Sequence, residues 1–380
     1  MRPSLTAGPL IIGGGPAGTA AAITLAAAGH PATLIERTRG PTDKVCGDFL
    51  SVEAIAMLRA LAIEPLALGA VPVTTLRLVH GHRVAATALP FTGMGLSRRT
   101  LDEALLRQAV SAGATVLRGH GVRRLEQAGD HYVAASDTLG PLAARSVFLA
   151  TGKHDLRGLL RPGRGAPLVG LKMYYRLAPG QRAELGHSTE LILFRGGYGG
   201  LQPVEQERTV FCVLLPASRL RATGPHWAEL IGSLAAEAPH LRQRLAGATA
   251  EAARPFAIAG IPYGHLHAAH GTPPGLFRLG DQACVIPSLA GDGIAIALHC
   301  GRMAAAGWIA GGDAGDYHRR LAGDLRMRLR LAGALHAGFR APPLQPAIAA
   351  ACRAWPGLMR LAASATRLPD AASGPAHPPG

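Results

Sequence analysis

Residues 9–37 read Pro9-Leu-Ile-Ile-Gly13-Gly14-Gly15-Pro16-Ala17-Gly18, then an Ala-rich stretch to Gly29, then Ala32-Thr-Leu-Ile35-Glu36-Arg37. The apolar run 9–12 predicts a short buried strand, the Ala-rich stretch a helix, and 32–35 a second strand. Each glycine has a mechanical reason. Gly13 permits the turn, Gly15 lets the backbone approach a pyrophosphate, and Gly18 lets the helix pack on the strand. The phosphates would meet the helix N-terminus at Pro16 and Ala17, where the free N–H groups from Ala17 onward and the helix dipole favour anions. Glu36, at the end of the second strand, is placed to accept from ribose hydroxyls. The order of strand, turn, helix and acid predicts an α/β fold with a Rossmann-type dinucleotide-binding domain.

The rest of the composition narrows the class. The chain has 380 residues, 48% hydrophobic and 17% charged, which suits one large domain or two and excludes disorder. The 49 Gly and 29 Pro follow no period, so collagen is excluded, and no 20–50-residue repeat points to a solenoid. Five Cys, odd in number and without a Cys-x-x-Cys pair, fit neither a disulfide scaffold nor a zinc ribbon, and a reducing, cytoplasmic setting is expected. The net charge of +15 comes from 36 Arg against three Lys, with aromatic residues at only 4%. Nothing interleaves rings with those Arg, so no nucleic-acid partner is expected. Glycines interrupt the apolar N-terminus where a signal peptide needs a continuous core, and no stretch is apolar enough to predict a membrane span.

Two distant segments carry a resemblance. Residues 276–298 read Leu276-Phe-Arg-Leu-Gly280-Asp281-Gln-Ala-Cys-Val-Ile-Pro287-Ser-Leu-Ala-Gly291-Asp292-Gly293-Ile294-Ala-Ile-Ala-Leu298, and residues 96–102 read Leu96-Ser97-Arg98-Arg99-Thr-Leu101-Asp102. Together with the N-terminal loop they resemble the glutathione-reductase-type flavoproteins, which include aromatic hydroxylases and geranylgeranyl reductases. The resemblance implies FAD as cofactor. It implies that Asp281 holds the ribityl chain and that Pro287, Gly291, Asp292, Gly293 and Ile294 form the turn under the isoalloxazine. It also implies that Arg37 and Arg98 lie near the cofactor, that Val122 offers backbone contacts to adenine, and that Thr151 and Gly152 border the flavin.

Lys44-Val-Cys46-Gly47-Asp48 resembles the K-x-C-G stretch that geranylgeranyl reductases place beside the flavin. Cys46 is the catalytic candidate there, as proton donor or as packing, with Lys44 and Gly47 as cofactor neighbours. The hydroxylase A-D-G element has become Ala150-Thr151-Gly152, followed by Lys153 and His154, which could serve a 2′-phosphate, a substrate oxygen or a solvated turn. The Trp motif of flavin halogenases is missing. No second G-x-G-x-x-G is present, so NAD(P)H is expected only as a transient electron donor.

The expected organisation is an FAD domain interrupted twice. Its parts are 1–75, 96–165 and 267–310; strands at 76–95 and an antiparallel substrate domain at 166–266 are inserted. Basic helices at 311–367 and a disordered tail at 368–380 follow. Tyr198, in the loop Phe194-Arg-Gly-Gly-Tyr198, is a candidate for the substrate wall. Polar catalytic groups are scarce in the sheet region, which favours a hydrophobic substrate whose chemistry the flavin supplies. Residues 319–367 carry nine Arg against one acid, Asp324, so contact with an anionic membrane surface or an acidic carrier protein is a candidate role. The leading functional expectation is an NAD(P)H-dependent monooxygenase acting on a polyketide or isoprenoid-like lipid. The alternatives are a geranylgeranyl-reductase-like enzyme that saturates C=C bonds and an inactive flavin-binding docking module.

Overall fold

The computed structural model describes residues 4–162, 168–224 and 226–368. Five short strands form an all-parallel sheet in the order Leu276–Arg278, Val147–Leu149, Leu10–Ile12, Thr33–Glu36, Thr115–Arg118. The chain leaves this layer after Glu36, re-enters it at Thr115–Arg118 and again at Val147–Leu149, and returns last at Leu276–Arg278. Continuous apolar runs such as Leu10-Ile-Ile12 and Val147-Phe-Leu149 are buried throughout, because one face of this sheet packs on helices and the other on strands Val122–Ala128, His131–Ser136 and Leu142–Ala144.

On one face lie helices Pro16–Ala27 and Gly293–Ile309. Their approach depends on small residues: a Cβ on Gly301 would stand 2.2 Å from the Ala17 carbonyl oxygen and 3.0 Å from the Ala20 Cβ. This close crossing brings the N-terminal ends of both helices to one cavity. Helix Arg98–Ser111 covers the same layer, with the Ser97 hydroxyl capping its start.

A second sheet of nine strands runs in the order Thr249–Ala250, Leu168–Arg176, Thr209–Pro216, Gly197–Pro203, Ser188–Phe194, Val71–His80, Arg83–Gly95, Phe49–Leu50, with Phe256–Ala259 pairing off Leu168–Arg176. It is antiparallel except where Ser188–Phe194 meets Val71–His80, which run parallel. A small sheet of Ser4–Leu5, Leu142–Ala144, His131–Ser136 and Val122–Ala128 flanks the cofactor layer; the sequence reading singled out only the strand at Val122.

Helices Ala314–Arg340, Gln345–Ala354 and Gly357–Ala365 close the chain. Leu368, which the sequence reading assigned to a disordered tail, is buried in the main core. Residues 369–380 lie outside the described residues. Among the described residues, no helix is long and apolar enough to cross a membrane.

Candidate active site

One cavity of about 1040 Å³ runs between the two main sheets. Its walls include Gly13, Gly15, Pro16, Ala17, Glu36, Arg37, Lys44, Cys46, Gly47, Arg98, Val122, Thr151, Gly152, Asp281, Gly291, Gly293 and Ile294, which come from both cofactor signatures and the segments between. Gly15 and Gly18 differ in kind. A Cβ on Gly15 would meet only the Arg98 guanidinium, at 3.5 Å, whereas one on Gly18 would stand 2.0 Å from the Gly13 carbonyl. Gly15 therefore faces the cavity, while Gly18 packs the helix on the strand and does not line the wall.

Helix Pro16–Ala27 has no side-chain cap, so its first N–H groups are free to meet an anion. Helix Gly293–Ile309 is likewise uncapped, because the Asp292 carboxylate turns away from it. Two uncapped helix starts at the walls of one elongated cavity suit a ligand with a pyrophosphate at one end and a ring that carries negative charge when reduced at the other. The residues present thus fit FAD.

Around the first helix start the polar groups hold one another in place. Glu36 accepts from the Gly14 N–H at 2.7 Å and from the Thr38 N–H at 2.9 Å. Burial raises the pKa of that carboxyl, but Lys44 and these donors outweigh burial and leave it below its usual value. Arg98 makes a two-pronged ion pair with Asp102, at 2.7 and 2.8 Å, and Lys44 bonds the same carboxylate at 2.8 Å. Burial opposes both charges of that pair; Arg98 and Lys44 nonetheless hold Asp102 ionised, below its usual value. Arg37 donates to His154 Nε2 at 2.9 Å. Since guanidinium cannot accept, that ring nitrogen carries no proton. Burial and then Arg37 lower the His154 pKa, which agrees.

Asp281 lies on the wall just after strand Leu276–Arg278, and its backbone carbonyl is held by Arg161 at 2.7 Å. Lys153 lines the cavity too, but its ammonium bonds the Val45 carbonyl at 2.5 Å. Thr151 turns its hydroxyl onto the His154 carbonyl at 2.6 Å. Cys46 is half-buried, and its sulfur accepts from the Asp48 N–H at 3.4 Å.

Three candidates stand elsewhere. Pro287 is buried behind the wall and begins the short helix Ser288–Ala290. The Asp292 carboxylate is buried against Arg367 at 2.8 Å rather than turned to the cavity, and burial raises its pKa to about 7 despite that arginine. Tyr198 is not on the substrate wall. Its strand runs through the middle of the nine-stranded sheet, so the ring is 3% exposed, packs edge-on to His336 and Phe339, and bonds Ser288 and His336.

The apolar part of the wall was not foreseen: Phe49, Phe256, Ile258, Tyr263, Val285 and Ile286. The segment 254–264 is largely apolar and holds two prolines, and nothing in that composition distinguishes a cavity wall from a core strand.

Residues 7–138 match the family model described as FAD binding domain. Menaquinone reductase of Mycolicibacterium smegmatis is 26% identical over 325 residues, 80% of this chain and 76% of that protein. Digeranylgeranylglycerophospholipid reductase 2 of Methanopyrus kandleri is 28% identical over 322 residues, 78% of this chain and 75% of that protein. In fold the chain is similar to a flavoprotein/dehydrogenase from Cytophaga hutchinsonii, with a TM-score of 0.73 at 18% identity over 87% of this chain and 88% of that one. It is similar also to a flavin-dependent brominase, with a TM-score of 0.75 at 16% identity over 96% and 95%. Fold, cavity and these matches define an FAD-dependent oxidoreductase.

Proposed function

We propose that the protein reduces a carbon–carbon double bond in a prenyl-bearing lipid, with FAD as the immediate electron carrier and NAD(P)H as the donor. The observation that carries this reading is Lys44-Val-Cys46-Gly47 on the wall of a cavity that is also lined by apolar residues, Phe49, Phe256 and Ile258 among them. Both relatives aligned over most of the chain are named as reductases, one of menaquinone and one of a digeranylgeranyl lipid. That support reverses the order expected from sequence, in which the monooxygenase stood first.

FAD held in this cavity and reduced by NAD(P)H would supply the hydride chemistry that saturation of an alkene needs. The chain's own groups do the rest. The two helix starts and Arg98 hold the cofactor, Asp281 accepts from its ribityl chain, and the apolar wall holds the alkene and excludes water. In this reading the Cys46 thiol, which lines the cavity, would give a proton to the second carbon, and solvent would return a proton to sulfur. The product gains two hydrogens and no oxygen.

An apolar lipid must reach the cavity from somewhere. The reading extends to an anionic bilayer as its source, met by the C-terminal helices. Leu344, Trp355 and Leu361 are more than half exposed there beside Arg353 and Arg360.

The deciding experiment incubates holoenzyme and NAD(P)H with a lipid extract under 18O2 and follows products by mass spectrometry. A two-hydrogen mass gain without label is expected; incorporation of 18O would overturn the reductase reading in favour of a monooxygenase.

A further inference from the structure

The loop Lys44–Asp48 carries Cys46 into the cavity, and other parts of the chain hold its backbone carbonyls one by one. The Lys172 ammonium bonds the Lys44 carbonyl at 3.0 Å, and Lys153 bonds that of Val45 at 2.5 Å. Gln202 Nε2 bonds that of Gly47 at 3.0 Å, and the Leu96 N–H bonds that of Asp48 at 2.9 Å. These donors come from strands Leu168–Arg176 and Gly197–Pro203 of the nine-stranded sheet, from the residue after its strand Arg83–Gly95, and from the turn after strand Val147–Leu149. Beneath the loop, Lys172 pairs with Asp48 at 2.7 Å with both side chains fully buried, and Tyr174 donates to the same carboxylate at 2.6 Å. Asp48 itself has φ +57°, a left-handed backbone that a non-glycine residue adopts only when its surroundings impose it.

We infer that Lys172 and Asp48 are positioning residues: their buried ion pair holds the Lys44–Asp48 loop so that the Cys46 sulfur faces the cavity. The inference rests on reading that cavity as the flavin and substrate site. A buried ion pair contributes little net stability compared with well-packed apolar residues, because desolvation offsets the attraction. What it does supply is a defined geometry, since an ammonium with two acceptors in a sealed site has one arrangement that satisfies it. Lys172 stands on Leu168–Arg176, a strand of mostly apolar residues, opposite Cys212, and the hydrogen bonds described for its ammonium all go to this loop.

The test measures iodoacetamide modification of each cysteine in the FAD-loaded protein by peptide mass spectrometry. In Lys172→Met the Cys46 rate should change by about tenfold or more as the loop opens locally, while buried Cys284 and Cys300 keep their native rates. Lys172→Met/Asp48→Asn removes the stranded carboxylate and should show the same selective change if the single variant fails to fold. Tyr174→Phe, which keeps the ion pair, should stay within about twofold of native. An unchanged Cys46 rate in a folded variant, or a parallel rise at all three cysteines, would overturn the assignment. FAD content is read on the same samples. Absence of flavin from the native chain would count against the cofactor reading and leave the clamp to be judged on the cysteine rates of the apoprotein.

Discussion

A Cβ on Gly15 meets nothing but the Arg98 guanidinium, and Gly15 has φ −79°, which any residue adopts, so a side chain there burdens the ligand and not the fold. Gly15→Val should therefore leave the melting temperature of the apoprotein near native and abolish the yellow colour of the purified protein; retention of full flavin content would remove the pyrophosphate from this loop. Gly18→Val should instead unfold the chain, costing about 3 kcal/mol or more, since its side chain would press on the Gly13 carbonyl. Asp281→Ala should weaken FAD by about 1–3 kcal/mol, the cost of an unpaired ribityl hydroxyl, and titration of the apoprotein with FAD measures it. These residues were legible because each answers a local constraint written within a few positions of the motif. Lys172, Tyr174 and Gln202 were not legible, because each sits in a strand whose pattern reads as core, and its partner lies far off in the chain. Asp292 was misplaced for a related reason: the loop is where the motif put it, but which way a carboxylate turns depended on Arg367, about one helical subdomain away.

Among the elements, the strand Ser188–Phe194 shows what period alone does not convey. Alternating runs and Gly/Pro turns announced an antiparallel sheet, but the parallel junction with Val71–His80 depends on a partner across an intervening domain, and the sheet hairpins give no local sign of it. That junction is fastened by Glu190, which is fully buried and bonded by Arg77 at 3.1 Å, His240 at 2.9 Å and Arg244 at 2.9 Å. Burial raises the Glu190 pKa, but the hydrogen bond and charge of His240 and those of Arg244 outweigh it and bring the carboxyl to about 2. A carboxyl depressed in the folded state contributes its stability in full above its unfolded value and loses it as pH falls toward the folded one. A loss of about 3 kcal/mol should therefore appear between pH ~4.5 and ~2. Glu190→Gln should flatten that limb of the acid melting curve and lower the midpoint at neutral pH. An unchanged acid limb would mean that Glu190 does not carry the junction.

For the molecule as a whole, the excess of Arg is distributed unevenly. Nine of them, against Asp324 alone, fall in residues 319–367, and at least four of those nine bond within the chain, Arg340 among them to His336 Nε2 at 3.4 Å. Arg367 is inserted onto Asp292 and the Ala290 carbonyl, Arg328 bonds the Asp324 carbonyl and the Arg367 carbonyl, and Arg319 pairs with Asp316. Arg353 and Arg360 are exposed, next to Trp355 and Leu361, each 63% exposed, on two short helices whose other faces pack on strand Arg83–Gly95. Apolar side chains flanked by arginines suit the interface of an anionic bilayer, where rings and methyl groups enter the headgroup boundary and each nearby Arg contributes about 1 kcal/mol. The expected outcome is co-sedimentation with phosphatidylglycerol vesicles, weak with phosphatidylcholine alone and weakened by salt because the charges are screened. Trp355→Ala/Leu361→Ala should reduce the bound fraction while FAD content and melting temperature stay native, since neither side chain contributes to the core. If native and variant protein sediment alike, or neither binds anionic vesicles, the lipid does not enter from a bilayer at this face, and the reductase reading must then stand on product analysis with substrate presented in detergent.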